Sequence, residues 1–421
     1  MKVIIEKLVF GGQGMGRLPD GRVCFVWNAL PGEEVEVELT KDKKGFCEGI
    51  AKKIVKVSPY RIEPKDDHFL ACSPWQILTS EQETRWKIEM SKETYKKFAN
   101  LDWDLDMMED GEMYGYRNKM EFGFVENKQG EISLAFFVRD QKEKQALEKC
   151  ALSNDSINRE TKIILAWINK NKIPVRYLRS LILRSDLLGQ VTAVLFVTQK
   201  MKFDHQIDLD KKLVGFKVYY SHYKSKLAVP TKQLYAKGLD HLVIELNNVQ
   251  LKFGALSFFQ INTPVFEMAL FDIKQFLDKK VDVVDYYSGV GAIALSLHEN
   301  FQHGILVESN REATEYAKEN IILNNIENCE ALLSPTEKML DLISSEKIII
   351  FDPPRAGLDK SVIQKLITEK PKRIIYLSCN PSTQARDIGL LADKYKVKFL
   401  KLYNFFPRTP HVEALCVLEL I

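Results

Sequence analysis

The sequence predicts an α/β protein: a Rossmann-like, doubly wound parallel sheet over residues 255–421, preceded by a small OB-like β-barrel at 1–57 and a central α+β segment at 58–254. Three observations carry that reading. The apolar runs VDVVDYY, GILVE, KIIIFD and RIIYLS alternate with helical stretches through the last part of the chain, as buried parallel strands do. The first residues instead alternate short apolar strands with glycines. The middle mixes strand and helix patterns without a repeat or a low-complexity linker.

At 421 residues the chain is long enough for two or three cores, and its 45% hydrophobic and 28% charged residues are those of an ordinary globular protein. No apolar run reaches the ~18 residues of a membrane span. Glu6 and Lys7 interrupt the N-terminal apolar stretch, so no membrane partner and a cytoplasmic location are expected. A net charge of +3 does not announce a nucleic-acid partner, so any such argument must come from sites. The seven cysteines (Cys24, Cys47, Cys72, Cys150, Cys329, Cys379 and Cys416) form no C-x-x-C pair. That fits reduced thiols better than a disulfide framework and weakens any zinc site.

Taken in order, Lys2–Phe10 reads as a strand, followed by a loop containing Gly11, Gly12, Gly14 and Gly16. Val35, Val37 and Leu39 then alternate with Glu34, Glu36 and Glu38, the period of a strand with one buried face. Short strands with glycine turns suggest an OB-type barrel, which either binds RNA or is a plain structural module. A helix is expected over 81–99, with Trp86, Met90 and Phe98 near one face and Lys87, Lys92, Lys96 and Lys97 around it, a solvated face or an RNA contact. A second helix is expected over 156–170, and strands over 116–125, around 132–138 and over 191–198. The tail adds VKFLKLYNFF and EALCVLEL as two more strands joined by a loop.

Chemistry concentrates in the last segment. Gly289-x-Gly291-x-x-Ala294 follows a predicted strand and is expected to open a helix, the setting of a nucleotide-binding turn. Glu308 ends the next strand, where a carboxylate can bind ribose hydroxyls, as it also would in a dinucleotide site. FDPPR at 351–355 discriminates: tandem prolines cannot continue a central strand, so the chain turns at the ligand edge, a methyltransferase signature rather than a dehydrogenase one. RIIYLS delivers Cys379 to the same edge, and a helix expected near Ser382 offers amides that could favour a thiolate. A thiolate there suits attack on C6 of a pyrimidine, which makes C5 nucleophilic; a base such as Glu413 must then take the C5 proton.

The segments FFQIN (258–262), DYYSGVG (285–291), FDPPRAGL (351–358), YLSCNPSTQARD (376–387) and FPRTPHVE (406–413) resemble, in order and spacing, the RNA 5-methyluridine (uracil-C5) methyltransferase family. YRNKMEF (116–122) resembles that family's central-domain motif, and the N-terminal barrel resembles a TRAM domain. The resemblance implies an S-adenosylmethionine-dependent enzyme with Cys379 as nucleophile and Glu413 as proton acceptor. It further implies that Gln260, Tyr287, Glu308 and Asp352 hold the cofactor, with Asp352 and Gln260 near the target base. The expected partner is RNA, 23S ribosomal RNA ahead of the transfer RNA T-loop because of the barrel; protein partners are not indicated.

The sequence departs from the family in one respect. Many members hold a 4Fe–4S cluster on four cysteines, whereas KDDHFLACSPWQ offers only Cys72, with Cys150 the one later candidate. Neither a cluster nor any metal ligand is expected. A cytosine-C5 enzyme would carry a cysteine after the fourth-strand proline, and an amino-methyltransferase would need no nucleophilic thiol. A catalytically inactive RNA-binding module would have no reason to keep both Cys379 and Glu413.

Overall fold

The computed structural model describes residues 1–139, 143–225 and 228–421. Strands β1 (Lys2–Leu8), β2 (Gly14–Arg17), β3 (Val23–Trp27), β4 (Glu34–Asp42) and β5 (Phe46–Lys56) close into a barrel in the order β1-β2-β3-β5-β4. Only β3–β5 is parallel, and β1 closes on β4, an OB-type arrangement. The alternation read in the sequence is the reason: Val35 and Val37 are buried while Glu34, Glu36 and Glu38 keep contact with solvent. Gly16 pairs with Ile5 of β1, and a Cβ there would stand 2.2 Å from the Ile4 carbonyl oxygen.

A short helix α1 (Phe69–Cys72) and the long α2 (Ser80–Ala99) follow, then β6 (Met107–Met108), β7 (Lys119–Glu126), β8 (Ile132–Phe137) and β9 (Lys144–Leu147). Next come α3 (Asp155–Lys170), β10 (Leu178–Ser185), β11 (Val191–Val197), β12 (Leu213–Tyr220) and β13 (Lys232–Gly238). A mixed sheet runs β13-β12-β11-β10-β7-β8-β9, with α3 packed on it. Asn154 starts α3 by accepting the Ile157 N–H at 3.0 Å. The hairpin β14 (His241–Leu246) and β15 (Val249–Gly254) then leads into the last segment.

That segment holds α4 (Thr263–Lys274), β16 (Asp282–Tyr286), β17 (Gly304–Glu308), α5 (Arg311–Leu323), β18 (Cys329–Leu333), β19 (Lys347–Phe351), α6 (Lys360–Glu369), β20 (Arg373–Ser378), α7 (Pro381–Leu391), β21 (Tyr395–Tyr403) and β22 (Glu413–Leu420). Its sheet runs β18-β17-β16-β19-β20-β22-β21-β6, parallel through β20. β22 is antiparallel to both of its neighbours. Each face buries a core, one under α4, α5 and the β14–β15 hairpin, the other under α2, α6 and α7. The segment read as central thus lends the C-terminal sheet its edge strand β6, the covering helix α2 and the hairpin.

Three expectations need correction. The glycine turn after β16 opens no α-helix; it runs through turns into a 3-10 stretch, Leu295–Asn300. The left-handed backbone at Gly289 and Gly291 winds the chain tightly, and Asp285 Oδ2 accepts the Ala294 N–H where a helix would continue. Secondly, Lys87 is on no solvated face. It is fully buried, and its ammonium donates to Glu83 Oε1 (2.7 Å), Asn404 Oδ1 (2.7 Å) and the Phe406 carbonyl (3.1 Å). Phe98, expected near the apolar face, is instead exposed.

Candidate active site

The strand order reverses between β16 and β19, because β17 and β18 lie on one side of β16 while β19 and β20 lie on the other. At such a switch point the connections leave in opposite directions and open a crevice outside the carboxyl ends of the strands. The chain fills that crevice with four strand ends. Tyr287 follows β16, Glu308 ends β17, Asp352 follows β19 and Cys379 follows β20. Because β22 is antiparallel, its first residue, Glu413, reaches the same edge. Gln260 comes from the loop between β15 and α4.

These six residues line one cavity of about 580 Å³, together with Phe258, Phe259, Ile261, Gly289, Pro353, Arg355 and Phe406. The Gln260 amide donates to Asp352 Oδ2 at 3.0 Å. Glu308 Oε2 accepts the Gly289 N–H at 3.0 Å, which anchors the glycine turn to the neighbouring strand. Tyr287, with φ of 61°, sits in the left-handed region that a bulky residue enters at a cost. At Gly289 an added Cβ would meet nothing nearer than the Phe258 carbonyl oxygen at 3.7 Å. The backbone there is open for close approach of a ligand.

Burial sets the charges. Glu413 is 1% exposed, its Oε1 has no hydrogen-bond partner among the described residues, and desolvation with the nearby Asp352 holds its carboxyl well above the usual range. Asp352, half-buried, is pushed up to about 7 by desolvation, against which the Gln260 amide works. The Cys379 thiol is pushed up to about 12, first by burial and then by Glu413 and Asp352, with Arg355 pulling the other way. The expectation of a thiolate favoured by the helix is therefore reversed in this state: α7 does begin two residues on, but burial and two carboxyls outweigh it.

Several supporting residues were not singled out from sequence. Asn380 caps α7 by accepting the Ser382 N–H, and its amide donates to the Arg355 carbonyl at 2.8 Å. The Thr383 hydroxyl donates to the same carbonyl at 3.2 Å, so the Cys379 turn and FDPPR are tied together. Asn118, in YRNKMEF, donates to the Gln260 carbonyl at 3.0 Å, and the Tyr116 hydroxyl to the Pro407 carbonyl at 2.9 Å. The central-domain motif therefore clamps two loops of the cavity. His411 is pushed down to about 3, chiefly by burial and then by Arg355 and other cations, and stays neutral.

A doubly wound sheet with an acidic strand end, a glycine turn and an Asp-Pro-Pro corner around one cavity defines a nucleotide-cofactor methyltransferase architecture. Comparison with known proteins narrows the class. Residues 80–420 match the model of the tRNA (uracil-5-)-methyltransferase family, and residues 1–52 match the TRAM domain. An uncharacterised RNA methyltransferase of Fusobacterium nucleatum is 30% identical over 449 residues, spanning 100% of this chain and 95% of the relative. Another, from Caldanaerobacter subterraneus, is 29% identical over 441 residues, spanning 99% and 98%. Among solved structures, the Pyrococcus abyssi tRNA (uracil-54, C5)-methyltransferase in complex with S-adenosyl-L-homocysteine shares the fold, with a TM-score of 0.78 at 23% identity over 99% of this chain and 100% of that one. The chain belongs to the tRNA (uracil-5-)-methyltransferase family of S-adenosylmethionine-dependent RNA methyltransferases.

Proposed function

We propose that this protein methylates C5 of a uridine in RNA through a covalent adduct between Cys379 and C6. The observation that carries the reading is the convergence of Cys379, Glu413, Asp352 and Gln260, from three strand ends and one loop, on one cavity. The cavity fits the cofactor: its volume suits a small molecule, its walls are mostly apolar, and Glu308 and the open backbone at Gly289 offer polar partners at the switch point. Gln260, Tyr287, Glu308 and Asp352 would hold S-adenosylmethionine there, and its sulfonium supplies an electrophilic methyl group.

The chain's own groups do the rest. The Cys379 sulfur, as thiolate, forms a bond to C6 and drives the C5–C6 electron pair onto C5, which then accepts the methyl group. Arg355 is the cation beside the thiol that favours its ionised form. The Glu413 carboxylate removes the proton from C5, the C5–C6 double bond re-forms, and the sulfur leaves as thiolate. A carboxylate made more basic by burial suits that abstraction. Reaching a base within folded RNA requires flipping it from its stack, at a cost of roughly a few kcal/mol. The barrel and the central domain supply the grip that offsets it, and the enzyme acts in the cytoplasm.

We assign the RNA as 23S ribosomal RNA from the TRAM barrel. A second reading, transfer RNA, takes its support from the full-length fold match to a transfer RNA enzyme. Nucleoside mass spectrometry on unmodified ribosomal and transfer RNA, incubated with enzyme and labelled S-adenosylmethionine, separates them. Label in 5-methyluridine of one RNA class assigns the substrate. Label in 5-methylcytidine or an N-methylated base would overturn the reaction itself.

A further inference from the structure

A second buried cluster of reactive side chains lies away from the catalytic cavity, where the segment between barrel and α2 meets the loop after β9. Asp66, His68, Cys72 and Cys150 each present one potential ligand atom, and the four atoms lie within 4.8 Å of one another. Asp66, His68 and Cys150 are buried, and Cys72 is half-buried. Within the cluster, His68 Nε2 is 3.7 Å from Asp66 Oδ2. The histidine is only 2% exposed, and among the described residues Nε2 finds no hydrogen bond of good geometry, with the Cys150 thiol beside it. A buried polar atom left unpaired costs roughly 1–3 kcal/mol, so its placement needs a reason.

The surrounding bonds have the form of a metal site's outer shell. His68 Nδ1 lies 3.3 Å from Asp67 Oδ1, and with the proton on Nδ1 the Nε2 lone pair is free for the cluster. Asp66 is oriented by the Ala151 N–H, 3.1 and 3.0 Å from its two oxygens, and by the Gln76 amide at 2.8 Å from Oδ2. Gln76 in turn accepts the Lys65 and Asp66 N–H groups at 2.9 and 3.1 Å. A carboxylate–imidazole pair pointing a free nitrogen at two thiols and a braced carboxylate is a donor set for one borderline-soft cation. Tetrahedral zinc bonded at ~2.0–2.3 Å would have ligand–ligand edges of roughly 3.3–3.8 Å. Modest contraction of the cluster reaches that geometry.

We propose that Asp66, His68, Cys72 and Cys150 form a mononuclear zinc site that staples the segment 66–72 to the loop at Cys150. The residues do not fit the four-cysteine cluster of the wider family, since two thiolates cannot supply one ligand to each of four irons. Zinc uptake releases the protons of both thiols and joins segments about 80 residues apart in sequence. The staple also has a mechanical role. Trp75, three residues beyond Cys72, donates its backbone N–H to the Arg408 carbonyl (3.2 Å) and its indole N–H to the Gly12 carbonyl (3.0 Å). Fixing this segment therefore fixes the barrel against the loop that leads to Glu413.

Metal analysis of the full-length, tag-free protein tests the proposal. About one zinc per chain is expected, falling below about 0.1 in His68→Gln and in Cys72→Ser and retained in Cys329→Ala. Replacement by cobalt should give a thiolate-to-cobalt charge-transfer band that His68→Gln, which keeps both thiols, weakens or loses. Removing the zinc with a chelator should lower the melting temperature by several degrees. Folded protein that takes up neither zinc nor cobalt would overturn the proposal. So would four irons with sulfide per chain, or a native Cys72–Cys150 disulfide, seen as a mass two units lower that reductant restores.

Discussion

Residues 404–413 run between two buried polar clusters that differ in how their charge is compensated. On one side, Lys87 uses all three ammonium donors, on Glu83, Asn404 and the Phe406 carbonyl, and Glu83 also accepts the Arg408 N–H at 2.9 Å. On the other side, Glu413 has a buried oxygen with no hydrogen-bond partner among the described residues and stands beside a second carboxyl, and Cys379 and Asp352 keep their protons well above the usual range. A cluster whose buried carboxylate faces cations, Lys87 at Oε1 and Arg408 Nη1 3.8 Å from Oε2, offsets its desolvation by charge pairing and holds one geometry. An open cluster is destabilising by itself and persists where a ligand completes it. One stretch of chain is thus clamped on its outer side so that its inner side can stay incomplete.

Substitutions on the two sides should fail differently. Cys379→Ala should lower kcat/KM by about 10⁴-fold or more while leaving the melting temperature nearly unchanged. A variant that unfolds, or one that still methylates, would erase the distinction. Lys87→Met should do the reverse: it leaves Glu83 buried with only Arg408, 3.8 Å from its Oε2, as a cation, at a cost of up to roughly 3–5 kcal/mol in stability by denaturant titration. Adding Glu83→Gln should recover part of that loss, and no recovery would mean that the cation was not compensating Glu83.

Smaller effects sharpen the same contrast. Asn118→Ala removes the bond to the Gln260 carbonyl and should lower kcat/KM by about tenfold, with a weaker change in stability. An unchanged kcat/KM would show that the clamp does not position the Gln260 loop. The raised Cys379 pKa gives the smallest signal. Alkylation of Cys379 in the free enzyme should be slow at pH 7 and rise about tenfold per pH unit towards pH 9, as the thiolate fraction grows. Asp352→Asn removes a charge that raises the thiol, so it should move the profile to lower pH by up to about one unit. A profile flat from pH 6 to 9 would contradict both statements.

What the sequence made legible follows from how local each signal is. The strands β16, β17, β19 and β20 are largely apolar runs ending at the candidate site residues, so pattern alone located them and the edge that they share. The barrel strand β4 declared its buried face through alternation. The sheet order of the central domain was not readable, because β10 and β11 are buried nearly throughout and carry no period that tells one face from the other. Lys87 looked like one more surface lysine, because its acceptors at Asn404 and Phe406 are more than 300 residues away. Asp66 and His68 escaped notice for a chemical reason: a search for thiolate ligands counts cysteines, and half of this donor set has no sulfur.

The central claim, a Cys379–C6 adduct resolved by Glu413, is tested most directly by mass spectrometry of Glu413→Gln incubated with substrate RNA and S-adenosylmethionine, then digested with nuclease and protease. The expected result is a peptide containing Cys379 that carries a C5-methylated uridine nucleotide, because methyl transfer has occurred and the C5 proton cannot be removed. Recovery of an unmodified Cys379 peptide alongside free 5-methyluridine, or of the nucleotide on another cysteine, would contradict it.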